Sequence, residues 1–365
     1  MRSFNRINCL SVFLLMVLTG CGKEQLSVKY TFDSVSNRIW IAEDFWTVPL
    51  EDWCVNDGRI EFRGEGQQAT CTFLPYTLKG DEGAFIVRAD MGVAEKGINA
   101  GSAGLLIGSQ AIEEEDVKAA IYFGRGINVG INTEGYAFIG QNSKKLPADF
   151  DFGKFTIELQ GNSGTDGSTL NLKVIDLSGN QVAEITENPE NQVSGIVQLV
   201  NNFRTSKSLN NAPRFWFDNI ELSGDDFQFR PENRYGPILW TMHTLSRGIL
   251  KMSAQMPPLG KDDNNILELQ FKNEGKWVSA GKQEIEPDSR TATFRIDDWN
   301  SAIDKEYRVL FPYKDVFGEE KVIGYAGKIR KEPVDRPLKM AAMTCQYHTG
   351  FPYTPVVRNI ELKDP

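Results

Sequence analysis

Histidine is nearly absent from this chain of 365 residues, with His243 and His348 the only two. A metal centre that draws on several imidazoles is therefore excluded from the chain taken alone. Cysteine is scarce as well: Cys9, Cys21, Cys54, Cys71 and Cys345. Basic residues are outnumbered, 40 Lys and Arg against 49 Asp and Glu, for a formal charge of −9. That balance argues against non-specific binding to nucleic acid, which is driven by phosphate neutralisation. Long helical periodicity is missing too. Between residues 30 and 224 no extended segment repeats its apolar residues every 3.6 positions. What is abundant is Gly, Phe and Trp within a 41% hydrophobic composition, the flavour of a globular β protein long enough for two domains.

The first 20 residues read as a targeting segment rather than fold. Arg2 and Arg6 precede an apolar run (CLSVFLLMVL, 9–18) that is shorter than a membrane span needs. Leu18-Thr19-Gly20-Cys21 then matches the pattern cut before a lipid-modified cysteine. The alternative is an ordinary secretory signal in which Cys21 is incidental. On the lipobox reading, mature residue one is Cys21, held to a membrane by acyl chains, with residues 21–29 as a tether. Gly22 after the cysteine is similar to Gram-negative lipoproteins, which implies the outer membrane of the cell envelope, facing the periplasm or the surface. An extracytoplasmic site permits disulfides. Cys54 and Cys71 are then either bridged across neighbouring strands or two small buried thiols.

Residues 30–224 alternate apolar and polar positions in short runs between turn residues, the pattern of an all-β two-sheet sandwich. The runs include RIEFRG (59–64), GAFIVRADM (83–91), AGLLIGSQ (103–110), AAIYFG (119–124), KFTIELQG (154–161) and RFWFDNIELSG (214–224). Their order, with Trp53, Val55, Asp57, Gly58 and Ile60 early and the closing Phe215, Phe217, Asp218, Asn219, Ile220 and Leu222, resembles concanavalin/laminin-G-type sandwiches. That resemblance implies a domain that often binds glycans. Residues 225–235 are a polar linker. Residues 236–333 again show strands at 8–12-residue spacing, as in an Ig-like or fibronectin-III-like sandwich.

The final stretch, 334–365, carries a second resemblance. AAMTCQY, FPY and the terminal NIELKDP are similar to the opening of the metallophosphoesterase domain of PhoD-like (alkaline phosphatase D type) phosphatases and phosphodiesterases. In that family a strand-end cysteine ligates iron beside a second divalent metal such as calcium. Cys345 stands at the matching position, where a rigid thiolate suits such a metal; the bland account is a buried thiol. The family's remaining ligands have no counterpart here. The resemblance implies the front part of an envelope phosphatase, truncated just after its catalytic domain begins, with an incomplete catalytic set and no metal bound stably. The alternative function is a non-enzymatic surface lipoprotein that binds glycan.

Other candidates each have two accounts. Trp40, Trp46 and Trp53 could stack on sugar rings or fill a sandwich core. The polar loop NNFRTSKSLNNAP (201–213), with Arg204, suits sugar hydroxyls or a phosphate, or is a plain sandwich-end loop. Asp218 and Asn219 could hold a structural calcium through oxygen donors or cap the last strand. His348 is read as a solvated loop residue and His243 as a structural one. GRGINVG (124–130) lacks the lysine of a phosphate loop, and EEED (113–116) reads as a solvated acidic loop.

Overall fold

The computed structural model describes residues 25–110, 117–165, 167–205, 210–334, 336–343 and 354–363. In chain order the elements begin with β1 (Leu26–Tyr30), β2 (Phe45–Val48), β3 (Trp53–Asn56), β4 (Arg59–Phe62), β5 (Ala69–Leu78), β6 (Gly83–Glu95) and β7 (Ser102–Gln110). A short helix α1 (Val117–Phe123) precedes β8 (Arg125–Asn132), β9 (Tyr136–Ile139), β10 (Asn142–Lys145), β11 (Phe155–Gly164), β12 (Gly167–Ile175) and β13 (Gln181–Glu187). Then come β14 (Gly195–Asn201), β15 (Arg214–Gly224) and β16 (Phe227–Phe229). The second group is β17 (Trp240–Ser246), β18 (Ile249–Gln255), β19 (Ile266–Asn273), β20 (Lys276–Glu284), β21 (Thr291–Ile296), β22 (Lys305–Lys314) and β23 (Glu320–Ile329), with a last helix α2 (Thr354–Lys363).

The first sixteen strands make two eight-stranded antiparallel sheets. One has the order β13-β12-β11-β6-β15-β4-β3 with β1 also on β15; the other has β10-β9-β8-β7-β14-β5-β16 with β2 also on β5. They pack face to face because period-two alternation gives each strand one apolar face. On β11, Phe155, Ile157 and Leu159 point into the core, as Leu170, Leu172 and Val174 do on β12; inward residues of the facing sheet, Leu105, Ile107, Val129 and Leu199, complete one cluster. The seven later strands form a three-stranded sheet, β17-β18-β21, and a four-stranded sheet, β20-β19-β22-β23. Leu250, Met252, Phe294, Leu269, Val309 and Phe311 fill the core between them.

Several expectations are corrected here. AAIYFG was expected as a strand, but residues 117–123 form a helix. Ala120 and Ile121 pack on Leu74 and Ile196, capping the outer face of the second sheet. A short apolar run fits either element, and here the tertiary contact decides. Cys54 and Cys71 are free thiols. Cys54 lies on β3 and Cys71 on β5, in opposite sheets. Trp53 and Val55 point into the core, so by alternation Cys54 points out of it, whereas Cys71 is a core residue. The bridge fails on both placement and direction.

His243 is exposed on β17. Residues 340–343 belong to no strand, and Met340 and Met343 are exposed. Cys21, Cys345, His348 and the EEED run lie outside the described residues. Among the described residues, no helix is long and apolar enough to cross a membrane.

Candidate functional site

At one end of the first sandwich, three connections converge: the turn after β4, the β6–β7 connection and the β14–β15 loop. Between them lies a cleft of about 230 Å³ lined by Gly64, Glu65, Gly66, Glu95, Lys96, Ile98, Asn211 and Arg214, among others. Its shape follows from local backbone choices. Asn202 and Asn211 both sit at positive φ, 56° and 53°, a conformation asparagine accepts more readily than most residues. Asn202 then ties three connections together. Its Oδ1 accepts from Ser102 N at 3.1 Å and its Nδ2 donates to Pro213 O at 3.2 Å. Its carbonyl accepts from Gln68 N at 2.6 Å. Asn211 O accepts from Ile98 N at 2.9 Å, drawing the β6–β7 connection onto the loop. Gly97 is required at that crossing, since a Cβ there would lie 2.3 Å from Asn211 O.

Arg214, the first residue of β15, is one of the charged groups at the cleft wall. Its Nε donates to Gly64 O at 3.1 Å and its Nη1 pairs with Glu95 at 2.8 Å. Glu95 is about two-thirds exposed in that pair, with a side-chain accessibility of 65%. The carboxylates of Glu65 and Glu95 and the cations of Lys96 and Arg214 are matched in number. Nearby, burial is the main force pushing the Asp52 carboxyl above its ordinary range, opposed by Arg214. Ile98, 88% exposed, adds an apolar surface at the rim. The wall is thus a set of hydrogen-bonding groups of both signs beside one hydrocarbon face. Such a surface can meet a ligand dense in hydroxyls and carrying apolar C–H faces.

The residues expected from sequence are scattered by comparison. Trp40 is 1% exposed and belongs to the core of the second sandwich. It offers no free face and is not a sugar platform, because the chain between β1 and β2 carries it across the junction. Trp46 is half-buried on β2; its Nε1 donates to Tyr122 Oη at 3.4 Å and its ring meets Tyr235 edge-on at 5.3 Å. It lies on the outer face of the second sheet, away from the cleft. Trp53 is fully buried against Phe62. Arg204 is exposed beside the cleft, its backbone N–H donating to Gln68 Oε1 at 3.1 Å, but it does not line it.

Asp218 and Asn219 sit at an irregularity in the β15 register. Asn219 Nδ2 donates to Asp90 Oδ2 and to Asp218 Oδ2, each at 3.1 Å. The Asn219 amide thus bridges two carboxylates, while Asp218 Oδ1 is buried without a hydrogen-bond partner. Burial, with Asp33 and Asp90 nearby, pushes the Asp218 carboxyl above its usual range. Among the described residues, no group of three or more His, Cys, Asp or Glu is placed to hold a metal ion.

Glu95, Lys96, Ile98 and Arg214 were missed because three separate connections supply the cleft. The polar 201–213 loop was the one signal pointing to it.

No family model matches the chain, and no curated protein matches it. Among solved structures it is similar to basic winged bean lectin with Tn-antigen, at 10% identity over 55% of this chain and 98% of that one, TM-score 0.40. It is similar to arcelin-5, a lectin-like defence protein from Phaseolus vulgaris, at 10% identity over 56% and 99%, TM-score 0.37. Lectin II from Ulex europaeus matches at 11% identity over 54% and 98%, TM-score 0.34. No site residue is carried across from these proteins.

Proposed function

We propose that the chain is a glycan-binding protein whose first sandwich, of concanavalin/laminin-G type, takes a polyhydroxylated ligand in the cleft at its loop end. The observation that carries this reading is the Arg214–Glu95 pair, fixed through Gly64 O at the wall of a cleft of about 230 Å³. Paired charged groups can donate to and accept from adjacent sugar hydroxyls, and charge-assisted hydrogen bonds are the stronger kind. Ile98 supplies the apolar contact.

The rest of the reading concerns placement. Lipid on Cys21 holds the protein to the outer membrane. The second sandwich, with three and four strands in its sheets, is of the Ig/fibronectin-III-like kind and serves as a spacer. The tail from residue 334 carries the phosphatase-like motif; in a longer enzyme of that type, Cys345 would ligate iron beside a second metal.

The test is a glycan array probed with the lipid-free full chain, repeated with Arg214→Ala. Binding that falls at least tenfold, with the circular dichroism spectrum and melting temperature preserved, is the expected result. Losing a hydrogen bond to a charged group costs about 1.5–3 kcal/mol, and 1.4 kcal/mol is tenfold in affinity. Binding unaffected by Arg214→Ala would move the ligand elsewhere.

A further inference from the structure

We infer that residues 31–44 are a two-sided strap that makes the two sandwiches one cooperative unit and fixes the direction in which the loop-end cleft faces. The inference stands independently of what the cleft binds. The segment contains no strand, yet it plugs both cores. Phe32 and Val35 are buried in the first core, and Trp40 is buried in the second.

Arg38 is the pivot. Its backbone exchanges hydrogen bonds with Val55 of β3 at 3.1 and 2.7 Å. Its side chain crosses the junction, with Nη1 on Asp263 Oδ1 at 3.0 Å and Nη2 donating to Ile41 O at 2.9 Å. The guanidinium is buried, 1% exposed, and stacks on Trp40 at 5.0 Å. Ser36 Oγ donates to the same Asp263 oxygen at 2.7 Å. Burial lowers the Arg38 pKa and Asp263 opposes that shift, as a buried ion pair requires.

The second sandwich returns the contact. The turn between β22 and β23 sends Val316 into the first core, and Phe317 stacks on Tyr30 at 5.5 Å. Tyr313 Oη donates to Glu43. Backbones meet directly as well: Trp40 N donates to Pro258 O at 3.0 Å, and a Cβ on Gly260 would lie 2.6 Å from Asn37 O. The polar linker is tied down too, by Arg234 to Asp44 at 2.5 Å and Tyr235 N to Glu43 O at 3.0 Å. Hinged domains meet through exposed linkers crossed by few contacts. This junction has buried charge, interleaved cores and backbone bonding instead.

The test uses the full chain. Calorimetry of the wild type should give one endotherm in which calorimetric and van't Hoff enthalpies agree. Asp263→Ala leaves Arg38 buried without its carboxylate. It should divide the endotherm in two, enlarge the scattering dimensions in solution and speed hydrogen exchange at the Trp40 amide at least tenfold. Ser36→Ala, a milder change for the case in which Asp263→Ala does not fold, should speed the same amide severalfold with circular dichroism unchanged. Asp297→Ala breaks an exposed pair with Arg295 inside the second sandwich and should do neither. Two independent endotherms in the wild type would overturn the inference. So would Asp263→Ala with one endotherm and unaltered exchange, or Ser36→Ala with unaltered exchange.

Discussion

Truncating Trp40 to alanine separates its two sequence-level accounts, sugar platform and core. An aromatic side chain of this size buries roughly 150–250 Å². At about 25 cal/mol per Å² that is roughly 4–6 kcal/mol of transfer free energy, and measured aromatic-to-alanine truncations in cores cost about 3–5 kcal/mol. With Trp40 1% exposed among Met256, Phe311 and Tyr313, Trp40→Ala is expected at that level. Trp40→Phe should cost much less. It keeps most of the ring and removes an indole N–H that is buried without a hydrogen-bond partner, a group whose unpaired burial costs about 1–3 kcal/mol. The assay is urea unfolding followed by circular dichroism, reading the midpoint at constant slope, alongside glycan binding well below the transition. The reasoning fails if Trp40→Ala unfolds at the wild-type midpoint while glycan binding is lost.

Two further outcomes follow from burial. Burial pushes the Cys54 thiol up to about 11 and the fully buried Cys71 higher still. Since the thiolate is the reactive form, iodoacetamide at pH 8 should leave both unmodified in native protein and label both in denaturant, as read by peptide mapping; native labelling of Cys71 would contradict its place in the core. Tyr76 is pushed up to about 12, Tyr313 higher, and Tyr30 well above its ordinary value, chiefly by burial. Their folded values exceed the unfolded value of about 10, so the stability they contribute is present below pH ~10 and lost as pH rises through the folded values. Phenolate absorbance should therefore show a late fraction that titrates only as the protein unfolds. All ten tyrosines titrating together near pH 10 in folded protein would refute this.

Much of the strand pattern is legible in the chain. The hairpin around Ser178, Gly179 and Asn180, the pairing of β17 with β18 around Gly248, and the β19–β20 hairpin at Glu274 and Gly275 all fall where turn residues interrupt alternation. Failures came where partners are distant. Residues 119–123 were expected as a strand and form a helix instead, because Leu74 and Ile196 supply a surface for it. Cys54 and Cys71 are 17 positions apart, but the chain changes sheets between them. Trp40 lies close to Trp46 in sequence and belongs to a different core. The loop that carries Arg204 marked the right end of the sandwich, while the charged groups of the cleft came from β6, β15 and the connections after β4 and β6.

By itself, then, the sequence determines the nearly all-β character, because side-chain alternation with period two is a local property of each strand. It also determines the scarcity of imidazole, which no folding can repair. Tertiary structure alone decided which faces meet, and with them the cleft, the free thiols and the strap. Those depend on contacts such as Arg38 with Asp263, 225 residues apart, which local periodicity does not encode.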